Sequence, residues 1–427
     1  MNLTLKVIFN NDPGMKCSFA RPVLSIITIS ALLLACSSSD PEVLFPDAAA
    51  ESAIAQYRKN THAEYSAIVA SAEALSTSVD AFLVSPSASA LEAARRAWIA
   101  ARIVYGPSEV HRFYEGPIDN PETDLEGRIN GWPMDEFEID YTRDTPNSGI
   151  INDETIKDIT KQKIAAENGR RGEKAITAGW HAVEFLLWGQ DDATAGTGAG
   201  KRPFTDYVEG GTAKNQKRRA EYLKEVTTLL VDDLKSVAAE WTPGVNGNYA
   251  STFGATATDA AKETNAKREA IQKILFAIGT LAKVELSGER MTVALKNRSE
   301  EDEHSCFSDT TGNDVYGNGL GIENVWLGRY AGVDGAGIDD VVRAASPDLA
   351  TRMSTDIADS VAKLKKLKDL QDGGKPFDVI LLAADGDAGR LAMTEAIVSL
   401  KKVAADTVEA GAALGISLEL EKPSEEL

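Results

Sequence analysis

Residues 179–191 read Gly179-Trp180-His181-Ala182-Val183-Glu184-Phe185-Leu186-Leu187-Trp188-Gly189-Gln190-Asp191. An almost unbroken apolar run of this length makes two or more helical turns, yet it carries one imidazole and one carboxylate. Their i,i+3 spacing puts both on one face, together with Phe185 and Trp188. Such a stripe normally faces a core, where an ionised carboxylate has to find a partner or take up a proton. The general reading of an isolated H-x-x-E is a buried His–Glu pair that orients helices. The functional one is a ligand pair.

Working outward, the segments on both sides have helical spacing. Tyr65, Ile68, Val69, Ala72, Leu75, Val79 and Phe82 recur at three- and four-residue steps until Pro86-Ser87. A second helix through Leu91, Ala94, Trp98 and Ile99 ends near Gly106-Pro107, which predicts an antiparallel hairpin. Ser108 to Gly149 is long and irregular for a bundle connection, and such excursions carry structure or function of their own. Ala193 to Gly211 reads as a surface loop; no strand precedes its glycines and no G-K-[ST] follows, so it is not a phosphate cradle.

Ala213 to Trp241 is a further predicted helix, and Thr242 to Gly254 the expected boundary. Beyond it Ile271–Ala282, Met353–Leu370 and Leu391–Val408 keep helical spacing, while Phe377–Ala384 reads as a loop or helix start. The acidic string Ser299–Asp309 has the composition of a solvated loop. The expected fold class is all-α, two packed four-helix-type bundles over 51–245 and 255–420.

Residues 1–35 read as a lipoprotein signal peptide, with Lys16 and Arg21, an apolar run from Val23, and a Leu33-Leu34-Ala35-Cys36 lipobox; Met15 is an alternative start. The apolar run is shorter than the ~20 residues of a spanning helix. Cys36 is then a lipid-modified N-terminus on a flexible tether, 36–50, and Ser37 points to an outer-membrane protein facing the periplasm or the surface. With Cys17 removed and Cys36 lipidated, Cys306 stands alone and no disulfide is expected. The net charge of −20, from 45 Lys and Arg against 65 Asp and Glu, excludes a phosphate-backbone partner and favours cations, although acidity also serves solubility.

The G-x-H-x-x-E string followed by F-L-L-W-G-Q-D resembles the signature of the imelysin family, peptidase family M75. The segments Glu109-Val110-His111-Arg112-Phe113 and Trp132-Pro133-Met134-Asp135 are similar to strings that precede that motif in the family. Glu301-Asp302-Glu303-His304-Ser305-Cys306-Phe307-Ser308-Asp309 and Gly321–Tyr330 resemble its iron-regulated branch. A second histidine usual in that branch is missing around Thr311-Gly312, so no role is carried over there. The resemblance implies two helical bundles with the characteristic residues near their interface, a link to iron uptake and a peptidase classification.

These two functions make different chemical demands. A catalytic zinc needs three protein ligands, an open position and a general base. The inverted zincin motif needs a histidine where this chain has Phe185, and only His62, His111 and His304 remain elsewhere. No G-x-S-x-G elbow offers a serine nucleophile. Carboxylates with an imidazole instead suit iron, with zinc an alternative. The candidate metal set is His181 and Glu184, with Glu109 third, marked by the resemblance, and Asp135 fourth; Arg290 is a candidate for an anion or for Glu184. Expected partners are a metal ion or small iron chelate, the membrane through Cys36, and proteins of an iron-uptake system. A structural lipoprotein with only a buried His–Glu pair is the remaining alternative.

Overall fold

The computed structural model describes residues 44–191, 198–255 and 260–423. The signal segment, Cys36 and most of the tether lie outside these residues.

Helix α1 (Asp47–Val84) buries Tyr65, Ile68, Ala72, Leu75, Val79 and Phe82 of the stripe its spacing predicts, with Val69 half-buried at its edge. It stops at Ser85-Pro86, and Ser87 starts α2 (Ala88–Tyr105) by accepting the Ala90 N–H at 3.2 Å. The two helices pack as a hairpin, and α2 runs on into a 3-10 turn, Gly106–His111. The excursion that follows contains α3 (Leu125–Ile129) and leads to α4 (Lys161–Glu167). Next come α5 (Gly179–Trp188) and α6 (Gln216–Glu240), with α6 against α1 and α5 between α2 and α6.

After α7 (Tyr249–Thr252), helix α8 (Ala260–Thr280) continues as a π-helical stretch over Leu281–Val293 and closes with α9 (Ala294–Asn297). Hydrogen bonds skipping five residues widen the helix, so residues five apart come onto one face. Arg290 thereby reaches Glu285 at 3.0 Å while pointing into the interior. Helix α10 (Thr311–Trp326) lies on the 3-10 turn, close enough that a Cβ on Gly321 would sit 2.1 Å from the Pro107 carbonyl oxygen. A two-residue ladder, β1 (Arg329–Tyr330) with β2 (Val333–Asp334), is the only strand pairing among the described residues. Then α11 (Ile338–Ala345), α12 (Pro347–Asp372), α13 (Phe377–Leu382) and α14 (Ala388–Ala413) complete the chain, with α12, α14 and α10 packed on one another.

The all-α class therefore holds, and Phe377–Leu382 is a helix. The described residues form one compact unit with a continuous hydrophobic core. Contacts of α1 with α8 and α11, and of α10 with α2, tie its earlier and later helices together.

Candidate functional site

Helix α5 is buried on every side, not along one stripe: all ten of its residues are in the core. A short helix so placed must have its end carbonyls satisfied by other elements. Tyr207 Oη donates to Leu186 O at 2.6 Å, Arg95 to Leu187 O at 2.9 Å, and Arg202 N to Trp188 O at 2.6 Å. At the other end Trp98 Nε1 donates to Trp180 O at 3.0 Å. These bonds fix the rotation of α5 and with it the aim of His181.

His181 Nδ1 lies 2.9 Å from Glu184 Oε2, both side chains wholly buried. The other carboxylate oxygen of Glu184 accepts from Ser308 N at 3.0 Å and Ser308 Oγ at 2.6 Å. Both oxygens of Glu184 are thus committed, and its role in this geometry is to orient the imidazole. His181 Nε2 is buried and has no hydrogen-bond partner.

Beside it stands a second imidazole held in the same way. The His304 ring packs edge-on against His181 with centroids 4.7 Å apart, and its Nδ1 is 2.8 Å from Asp314 Oδ2. Arg102 Nη2 is also 3.3 Å from that nitrogen; the shorter contact places the Nδ1 proton toward Asp314. Asp314 is held in turn by Arg102 Nε at 3.1 Å and Ser305 Oγ at 2.5 Å, and Trp132 packs edge-on against His304 with ring centroids 5.4 Å apart. Burial pushes both imidazoles well below their ordinary range, helped for His181 by His304 and Arg102 and for His304 by Arg290 and Arg102. Burial also pushes Glu184 well up, against the Ser308 hydrogen bonds that favour its charge.

The structure brings His181 and Glu184 together but places the other two candidates elsewhere. Glu109 sits at the far end of the same buried network: Arg102 donates to Asn130 Oδ1 at 2.6 Å, and Asn130 donates to Glu109 Oε1 at 3.2 Å. Its other oxygen takes Arg112 at 2.8 Å and Arg290 at 2.6 Å, so Arg290 pairs with Glu109 and not with Glu184. Asp135 is half-buried in a turn bonded through its backbone to Lys174 and Glu138, with no contact to His181. The acidic string expected to be solvated turns inward instead, with Glu303, His304 and Ser305 all buried.

Burial alone would raise the Glu109 carboxyl, but the charges of Arg112 and Arg290 outweigh it and hold it well below the carboxylate range. A depressed folded-state value means stability that is present above the unfolded value of about 4.3 and lost as pH falls below it. The stability gap between wild type and Glu109→Gln in urea unfolding should therefore be wide at pH 7 and narrower at pH 3. An unchanged gap would show that the arginines do not stabilise the charge.

Among the described residues no three His, Cys, Asp or Glu side chains are gathered to hold a metal ion. The protein offers two carboxylate-backed imidazoles, which fall short of a catalytic zinc site but suit a cation that arrives with ligands of its own. Sequence reading missed His304, Asp314, Ser308 and Arg102. The available signal was a histidine inside an acidic string already similar to the iron-regulated branch.

Comparison with known proteins agrees with the helical architecture and the family resemblance. A relative from Synechococcus elongatus, iron-regulated protein A, is 22% identical over 350 residues, covering 81% of this chain and 80% of its own. The crystal structure of a candidate iron-regulated protein A precursor from Parabacteroides distasonis matches with a TM-score of 0.64 at 18% identity, over 88% of this chain and 97% of that one. The imelysin model, Peptidase_M75, matches residues 61–406, through every helix that builds the site: this chain belongs to the imelysin family.

Proposed function

We propose that this protein binds a metal cation, with iron as the cargo, as an exported lipoprotein of bacterial iron uptake anchored through Cys36. The observation that carries the metal reading is the buried, unpartnered Nε2 of His181, aimed by a carboxylate on Nδ1 and accompanied by a second imidazole of the same design. Carboxylate–histidine–metal relays have this form. The iron assignment draws on the family and on the name of the Synechococcus relative. Two protein ligands leave room for water or for the ligands of a small chelate. Because His181 is 1% exposed, entry requires the segments packed around it to move aside.

Titration with Fe(II), ferric citrate and Zn(II) tests this on wild type, His181→Ala, His304→Ala and Glu184→Gln. Removing His181 should abolish measurable binding. Glu184→Gln should weaken it about 10–100-fold, the usual effect of losing an orienting carboxylate, because a glutamine amide can place an N–H against Nδ1 and leave the proton on Nε2. Equal binding by all four proteins, or none by the wild type, would favour the structural His–Glu pair. Metal-dependent peptide cleavage lost in His181→Ala would favour a peptidase. Mass spectrometry of the mature N-terminus tests lipid on Cys36.

A further inference from the structure

A cavity of about 430 Å³ opens between α1 and the segment that joins α6 to α7. Ala55, Trp241, Pro243 and Ala250 give it apolar walls, and Arg58 and Lys59 supply its charge. Among the described residues neither cation is paired with a carboxylate, in a chain where acids outnumber bases by 65 to 45. Arg58 is half-buried. Its Nη1 donates to Ala250 O at 3.2 Å, while its Nε is buried and has no acceptor at all. A guanidinium withdrawn from water without a counter-ion is costly, and burial pulls Arg58 below its ordinary range with no opposing carboxylate. An anion placed in the cavity supplies the missing counter-charge.

We propose that this cavity is a binding site for a small organic anion, a single carboxylate carried on an apolar body. With Nη1 engaged by the backbone and Nε closed off, Nη2 is the nitrogen of Arg58 left to a ligand, and it offers a carboxylate a charge-assisted hydrogen bond. Lys59 adds a second positive charge at the mouth. The apolar walls distinguish the ligand from a bare inorganic anion, which would leave them wet, and the volume is within the range of ordinary small-molecule sites. The site is separate from His181 and does not depend on the metal reading.

Calorimetric titration with octanoate, 1-octanol and inorganic phosphate tests the proposal on wild type, Arg58→Met and Ala55→Phe. Wild type should bind octanoate at one saturable site, at least tenfold tighter than octanol or phosphate. Arg58→Met should lose that preference. Ala55→Phe, at an exposed helix position that needs no repacking, should block the cavity and remove binding while Arg58 stays in place. Octanol binding as well as octanoate, phosphate binding as well as octanoate, an unchanged Arg58→Met, or saturable octanoate binding by folded Ala55→Phe would each overturn it. If Arg58→Met fails to fold, the Ala55→Phe result decides alone.

Discussion

Asp140→Ala is expected to cost about 3–5 kcal/mol of folding stability, the range for breaking a buried ion pair from one side. Asp140 is completely buried between two buried arginines: Arg219 reaches its Oδ2 at 2.6 Å and its Oδ1 at 2.9 Å, and Arg202 its Oδ2 at 2.7 Å. Without it Arg202 would depend on Asp206, which it meets only at 3.3 Å and which already accepts from Tyr141 and Thr212, and Arg219 would keep only the backbone carbonyls of Asp206 and Lys214. The loss would spread. Arg202 is the residue whose N–H closes the end of α5 at Trp188, and Arg219 belongs to α6, so this cluster clamps the irregular 108–149 excursion onto the helices beneath it. Urea unfolding of Asp140→Ala and Asp140→Asn measures the effect. A loss under about 1 kcal/mol in both would mean that water or rearranged carboxylates replace the pair.

What could be read in advance depended on period. The apolar stripe of α1 and those of α6, α12 and α14 repeat at three and four residues because each helix packs one face, and that regularity survives in the sequence. The site is built differently. His181 and Glu184 were legible because they lie one turn apart on one helix, but their surroundings come from α2, the 299–310 segment and α10, joined only by tertiary contact. Glu303 belongs to a charged string that composition assigns to solvent, and only the fold shows it buried. The pairing of Glu285 with Arg290 was equally hidden, because five-residue spacing separates side chains on an α-helix and unites them on a π-helix. Glu109 shared the family string with Arg112, and nothing in spacing distinguishes a metal ligand from a carboxylate locked between arginines.

The glycine that opens the G-x-H-x-x-E string has a physical reason of its own, and Gly179→Ala should cost roughly 3 kcal/mol or more. Gly179 has φ +85°, a region that costs an L-residue about 1–3 kcal/mol by itself. Space is also lacking: a Cβ there would lie 2.4 Å from Ile129 O and 2.6 Å from Arg128 O, backbone atoms that cannot move without displacing α3. Gly169 is the matched control, with φ +70° and nothing within 4 Å of its Cβ position, so Gly169→Ala carries the conformational cost alone. The difference between the two variants in urea unfolding measures the close approach of α5 to α3. Because Gly179 sets the path of the chain two residues before His181, Gly179→Ala should also weaken the proposed metal binding under conditions where it remains folded, whereas Gly169→Ala should behave as wild type. Equal stability losses in the two variants would show that the entry to α5 yields easily, and the motif's glycine would then need an explanation other than packing.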